Sequence, residues 1–564
     1  MTQNNFIRVK TGITFGIVII LIVIYLFHVF YYPVDFPQSD DFASILDFAQ
    51  RFDLLSNIKK KLASLFSFHN EHIVLPIRLV TLMQLYLFDG IDFRIFCYLG
   101  GLGTLLTAYL YYLNIPQKSN LTNLSLLIIG FLTFIPLHII TNWATTSITS
   151  IYILFFSFAT FHFLQTSSLR NVLFSVFFQF LTTFTLGSGF TTFFIGLFLL
   201  KNQSRRNQII WLSICICSLG LYFFLIINKP GRVTQGIPQA SDLVIIVEHF
   251  FYFFGSIWQN IIPASYYLII PGVAFIGFAV YYFLQKKSIL QLNAVEAFFI
   301  FIVINVVLAS LSRYGVGYHN AGVLRYQSLH NQALLSLLLL YVWKYGRDFN
   351  LGKQAVLALL TAVFYTTSVY ANSQKIQTRQ RTLINMISSF KSGKEVAIHP
   401  SKYMTNLYYK LSKRPAFLKQ NYTVASNFSK STTIPDKQIK STDIFAMSIS
   451  HINRNKYVKN ISVDNRELKV LGWCYNQTKQ RTPDAIFMTI ESNSYSPKRK
   501  ISRPHITKIC GSEECKNAGF EFIVDLEKFS EGRYELEFTA LSGKEYIKLN
   551  QNISFKYQPQ LILE

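Results

Sequence analysis

Residues 12–32 read Gly12-Ile-Thr-Phe-Gly-Ile-Val-Ile-Ile-Leu-Ile-Val-Ile-Tyr-Leu-Phe-His28-Val-Phe-Tyr-Tyr32, preceded by Arg8 and Lys10. A helix needs about 20 consecutive apolar residues to cross a bilayer. The run passes straight into Phe30, Tyr31 and Tyr32 without a small-residue cleavage site, so it predicts an uncleaved anchor and not a signal peptide. Further apolar runs occupy 92–113, 122–141, 147–166, 171–200, 208–228, 265–284, 292–311, 329–345 and 353–372. From about 375 onward the chain is polar.

Composition agrees. The 564 residues are 51% hydrophobic and only 15% charged, with a mean hydropathy of +0.31, whereas soluble proteins carry about 25% charged residues. A single water-soluble globule is excluded, and so is a disordered chain, which needs low hydrophobicity. Six Cys in this length do not make a disulfide scaffold. The net charge of +24 falls at the edges of apolar runs and on the polar tail, so it predicts membrane orientation and no nucleic-acid partner.

Lys201, Arg205 and Arg206, then Lys286 and Lys287, then Lys344, Arg347 and Lys353 form three basic loops. The positive-inside rule assigns them, with Arg8 and Lys10, to the cytoplasm. Two segments are ambiguous: 73–88, interrupted by Pro76 and Arg78, and 171–200, broken at Gly187-Ser188-Gly189. The charge of Lys118 and Arg170 favours 73–88 lying on the outer surface and 171–200 crossing twice. The expectation is a polytopic α-helical membrane protein with about 11 transmembrane helices, the N-terminus inside and the C-terminal domain extracytoplasmic. Its transmembrane domain covers 1–372, with a long first outer loop at 33–91 that contains amphipathic, surface-lying helices at Phe42–Leu55 and Ile73–Leu87. Further outer loops fall at about 229–264 and 312–328.

Residues 373–460 read as a partly helical connector. Beyond it, 461–564 holds short alternating runs, among them Leu468–Cys474, Ala485–Ile490, Phe520–Val524, Tyr534–Ala540 and Ile553–Tyr557, separated by polar turns. This spacing predicts a small, mainly β domain of the sandwich type. Cys510 and Cys515 share one loop there. On an oxidising side of the membrane they favour a disulfide over two free thiols.

Three polar clusters stand out from the apolar background. Asp35-Phe-Pro-Gln-Ser-Asp40-Asp41-Phe42 follows the first membrane helix. Asp40 and Asp41 are candidate catalytic carboxylates, suited to deprotonating a hydroxyl or holding a cation; they equally suit the N-cap of the following helix. Phe68-His69-Asn70-Glu71-His72 places His69 and His72 three apart, on one face if helical, as a polar cluster for an anionic head group or, less readily, a metal. Ser312-Arg313-Tyr314-Gly-Val-Gly-Tyr318-His319-Asn320, continuing to Arg325 and Tyr326, sets two Arg on the face where positive charge is disfavoured. Phosphate recognition by guanidinium and interfacial snorkelling both account for them.

An N-terminal helix, a long outer loop opening with Asp40-Asp41, about ten further spans and an exported tail together resemble the GT-C class of integral membrane glycosyltransferases. The His69-Asn-Glu-His72 and Arg313–Tyr326 segments are similar to those of bacterial membrane proteins of GT-C-like architecture. The resemblance covers roughly 1–372. It implies transfer of a sugar from a polyprenyl-phosphate donor to a cell-envelope glycan or lipid acceptor, at the outer face of the bacterial cytoplasmic membrane. Asp40 or Asp41 would then be the general base. Arg313, Arg325 and His72 would hold the donor phosphate, with His69, Glu71, His319 and Tyr326 in the same substrate-binding set. The acidic pair departs from an Asp-X-Asp metal pattern, which leaves the role of a divalent cation open. A transporter or flippase of lipid-linked saccharide, and a non-catalytic envelope assembly protein, are the competing classes. The lack of internal repeats and of charges buried at mid-membrane counts against the former.

Overall fold

The computed structural model describes all residues except 1–2, 71, 89, 117–120, 202, 228–238, 240–241, 262–265, 287–290, 314–325, 392–403, 406, 409–410, 412–430, 433–444, 453–454, 457–460, 464–466, 492, 527–528, 531, 543–544 and 558–564. The chain divides into two compact units, one of 1–383 with 399–422 and one of 384–398 with 423–564.

The first unit is helical. Helix α1 (Gln3–Tyr31) ends two residues before Pro33, and a π-helical turn (Phe42–Asp47) leads into α2 (Phe48–Leu54) and α3 (Ile58–Leu65). Two short strands, β1 (Phe68–His69) and β2 (His72–Ile73), precede α4 (Leu75–Leu87). There follow α5 (Phe93–Leu113), α6 (Thr122–Thr133), α7 (His138–Asn142), α8 (Ala144–Leu164), α9 (Leu169–Thr183), a 3-10 turn (Gly187–Phe190) and α10 (Thr191–Leu200). Helices α11 (Arg205–Ile227), α12 (Asp242–Gly255), α13 (Ile269–Leu284), α14 (Ala294–Arg313), α15 (Gln327–Tyr345) and α16 (Leu351–Lys391) complete the set.

Among the described residues, seven helical segments are long and apolar enough to cross a membrane: Thr11–Tyr31, Phe93–Leu113, Ala144–Leu164, Arg205–Ile227, Tyr266–Leu284, Ala294–Ser312 and Leu351–Ile384. Leu75–Leu87, Thr122–Thr133 and Gly187–Leu200 are shorter apolar helices. This fits a polytopic membrane protein, although fewer of its helices have full spanning length than the run count suggests. The reasons are local. The run at 122–141 is cut after Thr133 by Pro136, which lacks an amide N–H and drives Ile135 out of the helical region. The run at 171–200 does divide in two, as its Gly-Ser-Gly implies. A Cβ on Gly189 would sit 1.9 Å from the Thr182 carbonyl oxygen, so the turn closes to a distance only glycine permits. Helix α15 opens with Gln327, Ser328, His330, Asn331 and Gln332, which lower its hydropathy. The expected middle outer loop contains α12, whose Tyr252, Phe253 and Phe254 are buried in the helical core.

That core is aromatic. Phe158 stacks on Phe298 at 4.6 Å, and Phe193 stacks on Trp211 at 5.4 Å with the indole N–H donated to Ser175. Such pairs add about 0.5–1.5 kcal/mol beyond area burial.

The second unit contains β3 (Ser431–Thr432), β4 (Phe445–Ile452), β5 (Asn455–Lys456), β6 (Ile461–Val463), β7 (Glu467–Asn476), β8 (Ala485–Ile490), β9 (Asn493–Tyr495) and β10 (Arg499–Ile501). A short helix, α17 (Pro504–Cys510), precedes β11 (Gly519–Asp525), β12 (Gly532–Ser542) and β13 (Glu545–Tyr557). Two sheets form, in the orders β10-β11-β7-β4-β5 and β3-β9-β8-β12-β13-β6. Val470, Phe520 and Phe522 from the first meet Met488, Leu536 and Phe538 from the second in one core. The sandwich expected from 461 begins earlier, because β4 lies within the presumed connector and pairs with β7. Gly472-Trp473 and Gly519-Phe520 are direct cross-strand partners, and the bare Gly472 leaves room for the Phe520 ring. Cys510 and Cys515 form a disulfide, with Cα atoms 6.3 Å apart.

Two tests follow from this packing. Gly189→Ala should abolish accumulation of folded protein, whereas Gly220→Ala, which meets nothing within 4 Å, should leave the melting temperature unchanged or slightly raised; equal tolerance of both would contradict the closed turn. Thiol counting on the unreduced, denatured chain should find four reactive groups, those of Cys97, Cys215, Cys217 and Cys474, and six would contradict the disulfide.

Candidate functional site

The acidic segment after α1 is built around helix N-termini, where backbone N–H groups lack partners within their own helix. Asp35 Oδ1 accepts the Phe93 N–H at 3.0 Å, at the first turn of α5. Asp41 Oδ1 accepts the Thr145 N–H at 2.7 Å, at the first turn of α8, and its Oδ2 accepts the Gln38 N–H at 2.8 Å. Asp41 is fully buried and makes no side-chain bond to the helix it precedes. It therefore caps a helix, as its position suggests, but one more than a hundred residues away. Burial pushes its carboxyl up to about 7, against the opposing pull of the Thr145 and Gln38 bonds.

Asp40 turns the other way. Ser39 holds φ at 44°, a left-handed conformation uncommon for a residue with a side chain, and the strained turn sends successive aspartates in different directions. Asp40 lines a cavity of about 600 Å³. Its Oδ1 lies 3.9 Å from His69 Nε2.

His69 and His72 are not on a helix. They face each other across a two-residue hairpin as direct partners of β1 and β2, with Asn70 at φ 51°. Asn tolerates the left-handed region better than most residues, which favours the tight turn over continued helix. Cross-strand partners emerge on the same face, and both His line the cavity. Burial lowers the His69 pKa, with the Arg78 charge adding to the effect and Asp40 and Asp47 opposing it. His72 Nδ1 accepts the Gly187 N–H at 3.1 Å, so its ring proton is on Nε2. The Gly187 carbonyl in turn accepts from Tyr222 OH at 3.1 Å. A Cβ on Gly187 would approach His72 Nδ1 to 2.8 Å, so glycine is what lets the hairpin dock here.

Arg78 secures the hairpin from below. It is buried, donates to the carbonyls of Leu65 and Ser67, and lies 5.1 Å from the Phe48 ring centroid. The Leu75 N–H bonds the Phe184 carbonyl at 2.9 Å, which fixes the base of the hairpin to the end of α9.

Tyr326, just before α15, lines the cavity and packs on Phe253 at 5.3 Å. Arg313 is the last residue of α14, next to the cavity-lining Ser312. Glu71, His319 and Arg325 lie outside the described residues. The structure thus joins Asp40, His69, His72 and Tyr326 at one cavity, while Asp41 is outside its lining and bonds the Thr145 and Gln38 N–H groups. It adds residues that sequence reading missed: Thr145, Thr146, Thr149 and Ser150 on α8, and Asn305 on α14. The hydroxyl-rich Thr145-Thr-Ser-Ile-Thr-Ser150 at the head of an apolar run was the available signal. Among the described residues, no three His, Cys, Asp or Glu converge as metal ligands. The arrangement offers a carboxylate beside an imidazole whose burial disfavours the charged form, at a cavity with a hydroxyl-bearing wall. That is a proton acceptor for a bound hydroxyl.

Asp41→Asn should cost about 1–3 kcal/mol, because its amide N–H₂ meets one of the two backbone donors and leaves it unsatisfied; Asp40→Asn should melt like wild type. Since the folded pKa of Asp41 is raised to about 7, the folded state binds the extra proton, and stability should fall as pH rises from about 4 to 7. Thermal melts across this range should show the decline in wild type and lose most of it in Asp41→Asn; identical profiles would refute the buried carboxyl.

No protein-family model matches this chain, and no curated protein sequence is significantly similar to it.

Proposed function

We propose that the protein is a membrane glycosyltransferase that moves a sugar from a polyprenyl-phosphate donor to a cell-envelope glycan or lipid acceptor, with Asp40 as the general base. One observation carries this reading: of two adjacent carboxylates, Asp41 is consumed by backbone N–H groups, while Asp40 opens into a large cavity beside His69. The cavity volume lies within the roughly 300–1,000 Å³ usual for small-molecule sites. Hydroxyls of Thr146, Thr149 and Ser150 line one wall, suited to a sugar, and Leu186, Phe253, Leu308 and Leu329 line another, suited to an isoprenoid. Arg313, Arg325 and His72 are the groups proposed to hold the donor phosphate, by the resemblance to GT-C enzymes. Among the described residues no third His, Cys, Asp or Glu joins Asp40 and His69, so a divalent cation there would take its further ligands from substrate, water or neutral oxygen donors.

The orientation rests on the loop charges. Helices α10 and α15 begin beside the cavity and end at Lys201 and Lys344, in two of the basic loops that charge assigns to the cytoplasm. At 1.5 Å per residue the 19 residues of α15 extend about 28 Å, close to the hydrocarbon thickness. A cavity at the opposite ends of these helices suits transfer at the outer face of the bacterial cytoplasmic membrane, with the C-terminal domain extracytoplasmic.

Transfer from a lipid-phosphate sugar should be measured in membranes containing each variant at matched protein level. Asp40→Asn is expected to lower turnover by about 10²-fold or more, and Asp41→Asn only in proportion to folded protein. Undiminished transfer by Asp40→Asn would eliminate the proposed base. Arg313→Ala and Arg325→Ala should raise the donor concentration needed for half-maximal rate; an unchanged donor requirement would reduce both to interfacial anchors.

A further inference from the structure

Lys375 and Arg379 sit one turn apart on α16, on one face of the helix and partly buried. Their hydrogen bonds go to neutral groups. Lys375 Nζ donates to Asn260 Oδ1 at 3.2 Å, and Arg379 Nε donates to Gln38 Oε1 at 2.8 Å. Among the described residues neither forms an ion pair. Asp41 is reached from Arg379 only through Gln38, and its oxygens already accept two backbone N–H groups. Both charges also act on His138, a third nitrogen base, whose Nδ1 is buried without a hydrogen-bond partner.

Beside this cluster, Asn260, Gln327 and Asn372 line a void of about 10 Å³. Gln327 and Asn372 are buried, and neither amide has a hydrogen-bond partner at oxygen or nitrogen. A void of this size holds about one oxygen atom. Unsatisfied buried amides cost stability, and uncompensated half-buried cations do so as well. The void and the cations adjoin through Asn260, which lines the first and accepts from Lys375, and through Asn372, one turn before Lys375 on α16; together they suit an anion with several oxygens. The site is separate from the catalytic cavity: Tyr326 and Leu329 of the same helical turn line that cavity, while Gln327 and His330 line this void.

The surroundings indicate how such an anion arrives. Helix α16 exposes Leu359, Val363 and Tyr370, and α1 exposes Val23, Phe27 and Tyr31. The two helices are joined beside the site by His28 to Ser373 at 3.0 Å and by Gln377 to Tyr32 OH at 3.2 Å. Exposed tyrosines at the end of apolar helix faces mark the membrane interface. Lys375 lies five residues beyond Tyr370, about 7.5 Å along the helix, and the headgroup zone on each side is roughly 5–8 Å deep. We propose that Lys375, Arg379 and His138, with the Gln327 and Asn372 amides, bind the phosphate of an anionic membrane phospholipid. This does not rest on the glycosyltransferase reading.

The test uses the whole 564-residue chain, with phosphatidylcholine vesicles alone, equal mixtures of phosphatidylcholine and phosphatidylglycerol, and soluble glycerol phosphate at matched phosphate concentration. Lipid retention by native mass spectrometry and the thermal midpoint are the readouts. Wild type should retain phosphatidylglycerol and melt higher in the mixed vesicles. Lys375→Gln with Arg379→Gln should weaken retention by about tenfold or more and lose the stabilisation. Equal retention and stabilisation in that variant would overturn the site. Equal stabilisation of wild type by glycerol phosphate would overturn the lipid source in favour of a soluble phosphate. Should the neutral variant fail to accumulate, the charge-preserving Lys375→Arg with Arg379→Lys decides: retained discrimination between the two vesicle types supports the site, and its loss in a folded variant refutes a charge-based one.

Discussion

The Asp41 carboxylate is the joint on which the candidate site depends. It ties the turn after α1 to the first turn of α8 through two backbone hydrogen bonds of 2.7 and 2.8 Å. A fully buried carboxylate is expensive to desolvate, so these bonds offset a real penalty. The N-terminal end of the α8 dipole works in the same direction. Beside the held Asp41, Ser39 is in a left-handed turn and Asp40 lines the cavity. Ser44 adds a second tie to the same helix turn, bonding Thr145 Oγ1 at 2.6 Å. The adjacent π-helical turn from Phe42 to Asp47 is consistent with local accommodation, since such turns often occur at functional sites.

The other side of the cavity is fastened by different means. The histidine hairpin has only two residues per strand, and a hairpin so short is not stable alone. It is held by external partners: Arg78 on the carbonyls of Leu65 and Ser67, Phe184 on the Leu75 amide, and Gly187 on His72. Ile73, Leu75, Phe184 and Tyr222 bury an apolar patch beneath it. The His72 ring therefore takes its orientation and tautomer from a glycine more than a hundred positions away. A site on a rigid support keeps its geometry better than one on a free loop, and these ties convert a loop into such a support.

Much of the helical architecture was legible because bilayer-length apolar runs are a strong signal, and α1, α5, α8, α11 and α14 lie where the runs predicted. The exceptions have physical causes. Pro136 shortens α6, and the amphipathic pattern of α12 gives no bilayer-length run. Strand β4 lay hidden because Phe445–Ile452 sits in a polar stretch that does not alternate cleanly. For the site, the acidic segment, the two His and Tyr326 were visible as residue types. The roles within them were not. Nothing local distinguishes Asp40 from Asp41, since the distinction is made by the Thr145 amide, and three-residue spacing of two His suits a helix as well as a two-residue hairpin.

The few charges of the helical unit sort into two kinds when their partners are traced. Asp92 pairs with Arg94 at 2.5 Å, Asp47 with Arg51 at 2.6 Å, and Glu296 with Lys286, Tyr282 OH and the Asn293 N–H. Asp35 and Asp41 are spent on helix N-termini. Arg78 is held by two carbonyls and the Phe48 ring. These charges have their partners within the fold, which burial demands of the buried members of each set. Two sets differ from these: Asp40, which lines the cavity 3.9 Å from His69, and the Lys375–Arg379 pair, whose bonds among the described residues go to neutral amides. In a chain with so little charge to place among apolar helices, half-buried cations bonded only to amides carry a cost that a ligand would offset. Because the two sets are of opposite sign, they call for different ligands: a hydroxyl to deprotonate at the first and an anion at the second.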